Sequence, residues 1–130
     1  MNNLIFQQGG INPERIQPFA SGDALDLTNT QSKYLTDRQA KFEGDRVVTV
    51  REAYAADASN ADGSKVSNGG VNMTACQDDS QVKTLWPDGT SSGRSTPRSV
   101  ITIETIFNPA SGTWLVNTFK GTGSGTVIQC

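Results

Sequence analysis

Gly44 divides the chain into two kinds of pattern, and that division constrains the fold more than any other feature. Before it, apolar residues recur at helical spacing; after it they alternate, as strands require. Ser21 is a suitable N-cap for a helix with Asp23 in its first turn, where an acid suits the helix dipole. Over residues 23–43, Leu25, Thr28, Ser32, Leu35, Gln39 and Phe42 share one face, with Ala24, Leu27 and Tyr34 beside it. That stripe is half polar, so the helix is expected to be half exposed or to face a polar cavity. Gly44 is expected to end it as a left-handed cap. Upstream, Pro13 opens a short turn through Ile16 toward Phe19.

The rest reads as a meander. Val48, Val50 and Tyr54 point to one side of a strand and Val47, Thr49 and Arg51 to the other, before a turn-rich tract over 57–70 that predicts a long hairpin loop. Val71, Met73 and Ala75 then oppose Asn72, Thr74 and Cys76 in a strand predicted to continue past Asp78 to Val82, Leu85 and Trp86. Pro87-Asp88-Gly89 is a turn, with Pro fixing the first corner and Gly supplying positive φ. A second loop over 91–97 follows, then a strand over 100–107, a turn over 108–112, a partner strand over 114–119 and a flexible tail from Gly121 to Gly125. Helices followed by strands predict an α+β fold. The expected architecture is N-terminal helices packed on a strongly curved antiparallel sheet of four to six strands, cone-shaped and cystatin-like.

A chain of 130 residues is one domain, divided as 1–12 N-terminal remnant, 13–44 helical, 45–120 sheet and 121–130 tail. Its 13 acidic and 11 basic side chains are scattered, which argues against nucleic-acid binding, since neutralising phosphates needs clustered Lys and Arg. No stretch approaches the roughly 18 apolar residues of a membrane span, and the start lacks the pattern of a signal peptide. Cys130 has little core to pack into and is best explained as a staple to Cys76; the alternative is two free thiols. A disulfide belongs to an oxidising compartment, so the chain is expected to be an extracytoplasmic ectodomain, secreted or surface-anchored, whose leader or membrane anchor is absent from it.

The run Ala75-Cys76-Gln77-Asp78-Asp79-Ser80, followed by Val82, Pro87-Asp88-Gly89, Trp114-Leu115-Val116 and the closing Cys130, resembles a group of secreted or lipid-anchored actinobacterial proteins of the nuclear-transport-factor-2-like superfamily. Phe19-Ala20-Ser21-Gly22-Asp23-Ala24-Leu25 is similar to the opening of their central helix. The resemblance implies a cone whose interior is the customary site, often worked by an Asp or an Asp-His pair, and frequent dimerisation. Two departures stand out. Only Leu4-Ile5-Phe6 precedes Gly9-Gly10 where the superfamily has a long first helix, so that helix is expected to be truncated or absent, and the chain has no histidine.

Without histidine a Ser-His-Asp or Cys-His nucleophile system is impossible, and no metal or other cofactor is expected. Asp78 and Asp79 are adjacent and face opposite sides of a strand, so they do not form a dyad; Asp78 would be a general base only if it faced the cone beside Trp86. Glu104 lies mid-strand in an apolar run, sharing a face with Val100, Thr102 and Ile106; that face is either the cone interior, with Glu104 functional or paired to Arg51 or Arg98, or the solvent side. Tyr34, Tyr54, Trp86 and Trp114 are the aromatic candidates for lining a pocket, against the plainer role of core. The leading expectation is a non-catalytic extracytoplasmic domain that binds a protein partner or a second copy of itself. The alternatives are a small-molecule-binding protein or acid-base enzyme using Asp78 or Glu104 in the cone, and a viral structural or accessory protein.

Overall fold

In the computed structural model the helical and strand signals separate as they do in the sequence, but several boundaries move. The structure describes residues 1–60, 62–94, 96–121 and 129–130. Chain order is helix α1 (Asn2–Gln7), a 3-10 turn (Pro13–Ile16), helix α2 (Gly22–Arg38), then strands β1 (Lys41–Glu43), β2 (Val47–Ser59), β3 (Lys65–Asp78), β4 (Lys83–Leu85), β5 (Ser91–Ser92), β6 (Arg98–Asn108) and β7 (Thr113–Gly121). The long strands form one antiparallel sheet in the order β2-β3-β6-β7; the short ones form a second, β1-β4-β5. The chain is α+β, and neither sheet closes into a barrel among the described residues. No helix there is long and apolar enough to cross a membrane.

The N-terminal segment is short but structured. α1 buries Ile5 fully and Phe6 almost so. Asn3 brackets Arg46, its Nδ2 donating to the Arg46 carbonyl at 3.0 Å and its Oδ1 accepting from the Arg46 amide at 3.2 Å. Gln7 Nε2 donates to the Gly44 carbonyl at 2.9 Å and to Asp45 Oδ1 at 2.7 Å. Gly10, at φ 79°, lies flush against α2: a Cβ there would stand 2.5 Å from the Ser32 carbonyl oxygen.

α2 ends at Arg38 instead of 43. Gln39 adopts the left-handed conformation (φ 52°, ψ 33°), and the Ala40 amide reaches back to the Leu35 carbonyl at 3.0 Å. Phe42 falls on the helical stripe by coincidence of phase; it is buried from β1, where its neighbours pair with β4. Gly44 (φ 81°) therefore makes the β1–β2 turn and caps no helix, and a side chain there would strike the Gln81 carbonyl.

Most of the predicted loop over 57–70 is strand. β2 runs to Ser59 and β3 resumes at Lys65, with a bulge between Ala56 and Ala58 and a left-handed Asn68 (φ 53°) opposite it. A Cβ on Gly69 would sit 2.9 Å from the Val66 side chain, so this glycine serves close packing within a bulged hairpin. A second bulge, between Val50 and Glu52, shifts the register at Arg51. Val48 and Val50 pair with Gln77 and Ala75, whereas Tyr54 pairs with Asn72 and so faces the opposite side. β3 stops at Asp78, and Leu85 belongs to the second sheet.

α2 lies over β7, where Ala20 and Val116 form a parallel bridge. The Ser21 amide donates to the Val116 carbonyl at 2.8 Å and the Val116 amide to the Phe19 carbonyl at 2.9 Å. Ala24, Thr28, Ser32 and Leu35 are the buried stripe of the helix. One apolar cluster gathers Ile5, Phe6, Ile16, Ala20, Ala24, Leu35, Ala40, Phe42 and Val82; a second, on the sheet, is Ala75, Ile101 and Ile103. Val116 and Phe119 pack against both. Cys76 and Cys130 are disulfide-bonded with their Cα atoms 6.0 Å apart. The predicted flexible tail, apart from Gly121 itself, lies outside the described residues.

Candidate functional site

The two apolar clusters do not fill the space between them. A cavity of about 610 Å³ remains between α2, the N-terminal residues and the inner face of β3, β6 and β7. Its floor is set by strand parity: Ala75, Gln77, Ser99, Ile101 and Ile103 face inward, because Ala75 pairs with Ile101, Gln77 with Ser99 and Met73 with Ile103. Ile101, Gln77 and Ser99 line the space from the sheet, Phe119 and Val116 from β7, and Ala24, Leu27, Thr28 and Gln31 from α2. Phe6, Ile16 and Phe42 close it from the side. Of the polar residues on the α2 stripe, Thr28 faces this cavity beside Leu27 and Gln31, whereas Ser32 is buried outside it.

Two cationic residues, Arg46 and Lys120, are among those around this cavity, and no carboxylate lines it among the described residues; Lys120 pairs with Thr102 and so projects to the face opposite Phe119, which leaves Arg46 as the cation turned to the cavity. Lys120 has no ion pair among the described residues. Arg46 is held by Asp79, its Nε donating to Oδ1 at 2.7 Å and its NH2 group to Oδ2 at 2.9 Å. Gln77 Nε2 donates to the same Oδ2 at 2.9 Å, and the Asp79 amide donates to the Pro97 carbonyl at 2.6 Å. Asp79 is thus a buried acid wholly committed to orienting an arginine.

The sequence candidates lie elsewhere. Asp78 is on the opposite face of β3 from Gln77, paired with Arg98 at 2.9 Å, in a small outer hollow shared with Thr49, Arg51 and the disulfide. Glu104 pairs with Asn72 and Thr118 and faces away from Ile101 and Ile103; it makes no ion pair with Arg51 or Arg98. Neither acid lines the cavity. Of the aromatic candidates, Tyr34 is exposed on α2 beneath the Arg38 guanidinium at 4.0 Å, Tyr54 is exposed on the outer side of β2, and Trp114 is exposed against Phe107 at 5.4 Å. Trp86 packs on the first cluster, donates Nε1 to Ser92 at 3.2 Å and lines a separate hollow of about 660 Å³ with Leu35, Ala40 and Pro87. The aromatics of the main cavity are instead Phe6, Phe19, Phe42 and Phe119.

Sequence reasoning passed over Arg46, Gln77 and Ser99, and weighed Asp79 only as half of a dyad with Asp78. One signal was available: if Ala75 faces the core, alternation sends Gln77 inward and Asp78 outward.

No family model and no curated protein matches this chain. Among solved structures it is similar to the intermembrane-space region of the chloroplast protein ARC6, with a TM-score of 0.51 at 12% identity, over 95% of this chain and 86% of that one. At that identity the likeness concerns the fold alone.

Three acids outside the cavity share one geometry. Asp62, Asp78 and Asp88 each accept from the residue two positions on, Ser64, Ser80 and Thr90, with amide contacts of 2.9 Å in every case. These side-chain and amide hydrogen bonds, with Arg98 adding to Asp78, hold all three carboxyls below their ordinary 3.8. A depressed folded pKa stabilises the native state above the unfolded value, and that stabilisation disappears as pH falls through the folded value. The melting temperature is therefore expected to fall as pH drops below about 4, and to fall less in a variant carrying Asp62→Asn, Asp78→Asn and Asp88→Asn. Identical acid limbs for the two proteins would show that these turns carry no linkage.

Proposed function

We propose that this chain is a non-catalytic binding domain of an extracytoplasmic space, and that the cavity under α2 receives an apolar ligand with an anionic end. The observation that carries the reading is the chemistry of the walls: apolar side chains and the Arg46 guanidinium, with no carboxylate among the described lining residues. A cavity of about 610 Å³ falls in the range usual for small-molecule sites. The non-catalytic part is supported by the placement of both candidate acids away from the walls and by the commitment of Asp79 to Arg46. The extracytoplasmic part is supported by the Cys76–Cys130 disulfide, and the ARC6 region of like fold is itself named for an intermembrane space. The helix laid over a bulged four-stranded sheet also supports the cone shape and kinship with the nuclear-transport-factor-2-like superfamily.

The test uses two fluorescent probes of similar shape, anilinonaphthalene sulfonate and uncharged phenylnaphthylamine. Both are expected to bind the native protein. Ser99→Trp, which places an indole over the floor, should abolish both signals, whereas Arg46→Met should weaken the sulfonate by roughly tenfold and leave the uncharged probe in place. Binding that survives Ser99→Trp would remove the cavity as the site.

A second reading, assembly with another protein chain, is supported by β2. Val47, Val48, Val50 and Tyr54 are each at least 38% exposed along it.

A further inference from the structure

β2 is an edge strand, and nothing among the described residues pairs with its free side. It is 13 residues long, far longer than an edge that proteins normally leave open, and it contains neither Lys nor Pro. Nearly every residue along it is exposed. Its blunting devices are the charges of Arg51, Glu52 and Asp57 and two breaks in its register, and the first break, a bulge of β2 itself, has a second consequence.

The bulge at Arg51 reverses the alternation of the strand. Val48 and Val50 before it, and Ala53 and Ala55 after it, all face inward, since they pair with Gln77, Ala75, Met73 and Val71 on β3. Val47, Thr49, Glu52 and Tyr54 face outward, and Arg51 joins the same outer hollow as Val47 and Thr49. When two copies of one strand extend a sheet through a two-fold axis, opposed residues must lie on the same face. In a regular strand this places the axis on a residue or midway between two residues of like parity. Across this bulge only an axis between Arg51 and Glu52 satisfies it. That register sets Val50 against Ala53 and Val48 against Ala55 on the inner face, and Thr49 against Tyr54 on the outer face.

The same register sets Arg51 of each copy against Glu52 of the other, twice by symmetry. Neither residue has an ion pair within its own chain among the described residues. The face pattern and the charge pattern thus select one axis independently. From this we infer that the occupant of the β2 edge is a second copy of the chain, joined antiparallel about the Arg51–Glu52 bulge to make one continuous eight-stranded sheet. This deepens the assembly reading and is independent of the cavity, because β2 contributes no residue to the cavity walls.

The experiment is a charge-reversal cycle read by light scattering across a concentration series, without reductant, with a non-reducing gel to exclude disulfides between chains. The native protein is expected to form dimers. Arg51→Glu alone, or Glu52→Arg alone, places like charges opposite each other at both symmetric positions and should raise the dimer dissociation constant by roughly tenfold or more. The double variant R51E/E52R exchanges the two charges and should restore the native value. Hydrogen exchange on the native protein should show β2 amides gaining protection as concentration rises, a readout that needs no variant to fold. A chain that stays monomeric throughout the series overturns the proposal, as does a dimer indifferent to the single reversals or a double variant that fails to recover. Probe binding is expected to be unchanged in all three variants, so the failure of this inference and that of the cavity reading are separable.

Discussion

Replacing Cys130 with serine is expected to lower the unfolding free energy by about 4 kcal/mol, because the Cys76–Cys130 bond closes a loop of 54 residues in the unfolded chain. A small domain is stable by only about 5–15 kcal/mol, so this one substitution removes a large part of the total. The loss has a structural address as well. Cys76 pairs with Thr49 on β2 and Val100 on β6, so the bond ties Cys130 to one of the two central strands of the larger sheet. Denaturant titration of the native protein and of Cys130→Ser, with the other cysteine also changed to serine in a control, measures the difference. A midpoint shift worth less than about 1 kcal/mol would mean that the unfolded chain is already restrained without the bond.

The second large effect is expected at Arg46. Changing it to methionine leaves the Asp79 carboxylate buried, with Gln77 as its remaining side-chain donor. Removing one partner of a buried pair commonly costs 3–5 kcal/mol, and because the Arg46 side chain keeps 23% exposure the expected loss is near the lower bound, about 3 kcal/mol. The double variant Arg46→Met, Asp79→Asn should be more stable than Arg46→Met alone, since no buried charge is then left uncompensated. If the single change costs less than about 0.5 kcal/mol, water reaches the pair and Asp79 is not the anchor described above. The same arginine stands at the cavity, so the variant also tests whether the oriented guanidinium contributes to binding of an anion.

These two sites differ in how far the sequence revealed them. The cysteine pair was legible because a terminal cysteine has almost no packing role, which leaves cross-linking as the plain explanation. Arg46 and Asp79 were not, because nothing in Gly44-Asp45-Arg46 or in Asp78-Asp79 distinguishes a buried pair from solvated turn charges. Their meeting depends on α1 bracketing the Arg46 backbone through Asn3 and on the chain reversing after β3. Both are long-range contacts with no local signature.

The same contrast runs through the fold. Periodicity and turn chemistry alone determined that helices precede a meander of strands, that the 108–112 segment turns, and that α2 begins after Ser21, because each rests on interactions between residues near in sequence. Tertiary structure alone decided which glycines end elements and which let chains approach, as Gly44 and Gly69 show. It also decided which acid turns inward. A bulge adds one residue and reverses every face beyond it, so Tyr54 left the side that simple alternation assigned to it. Bulges are set by pairing with a neighbouring strand, and that pairing exists only once the sheet has formed.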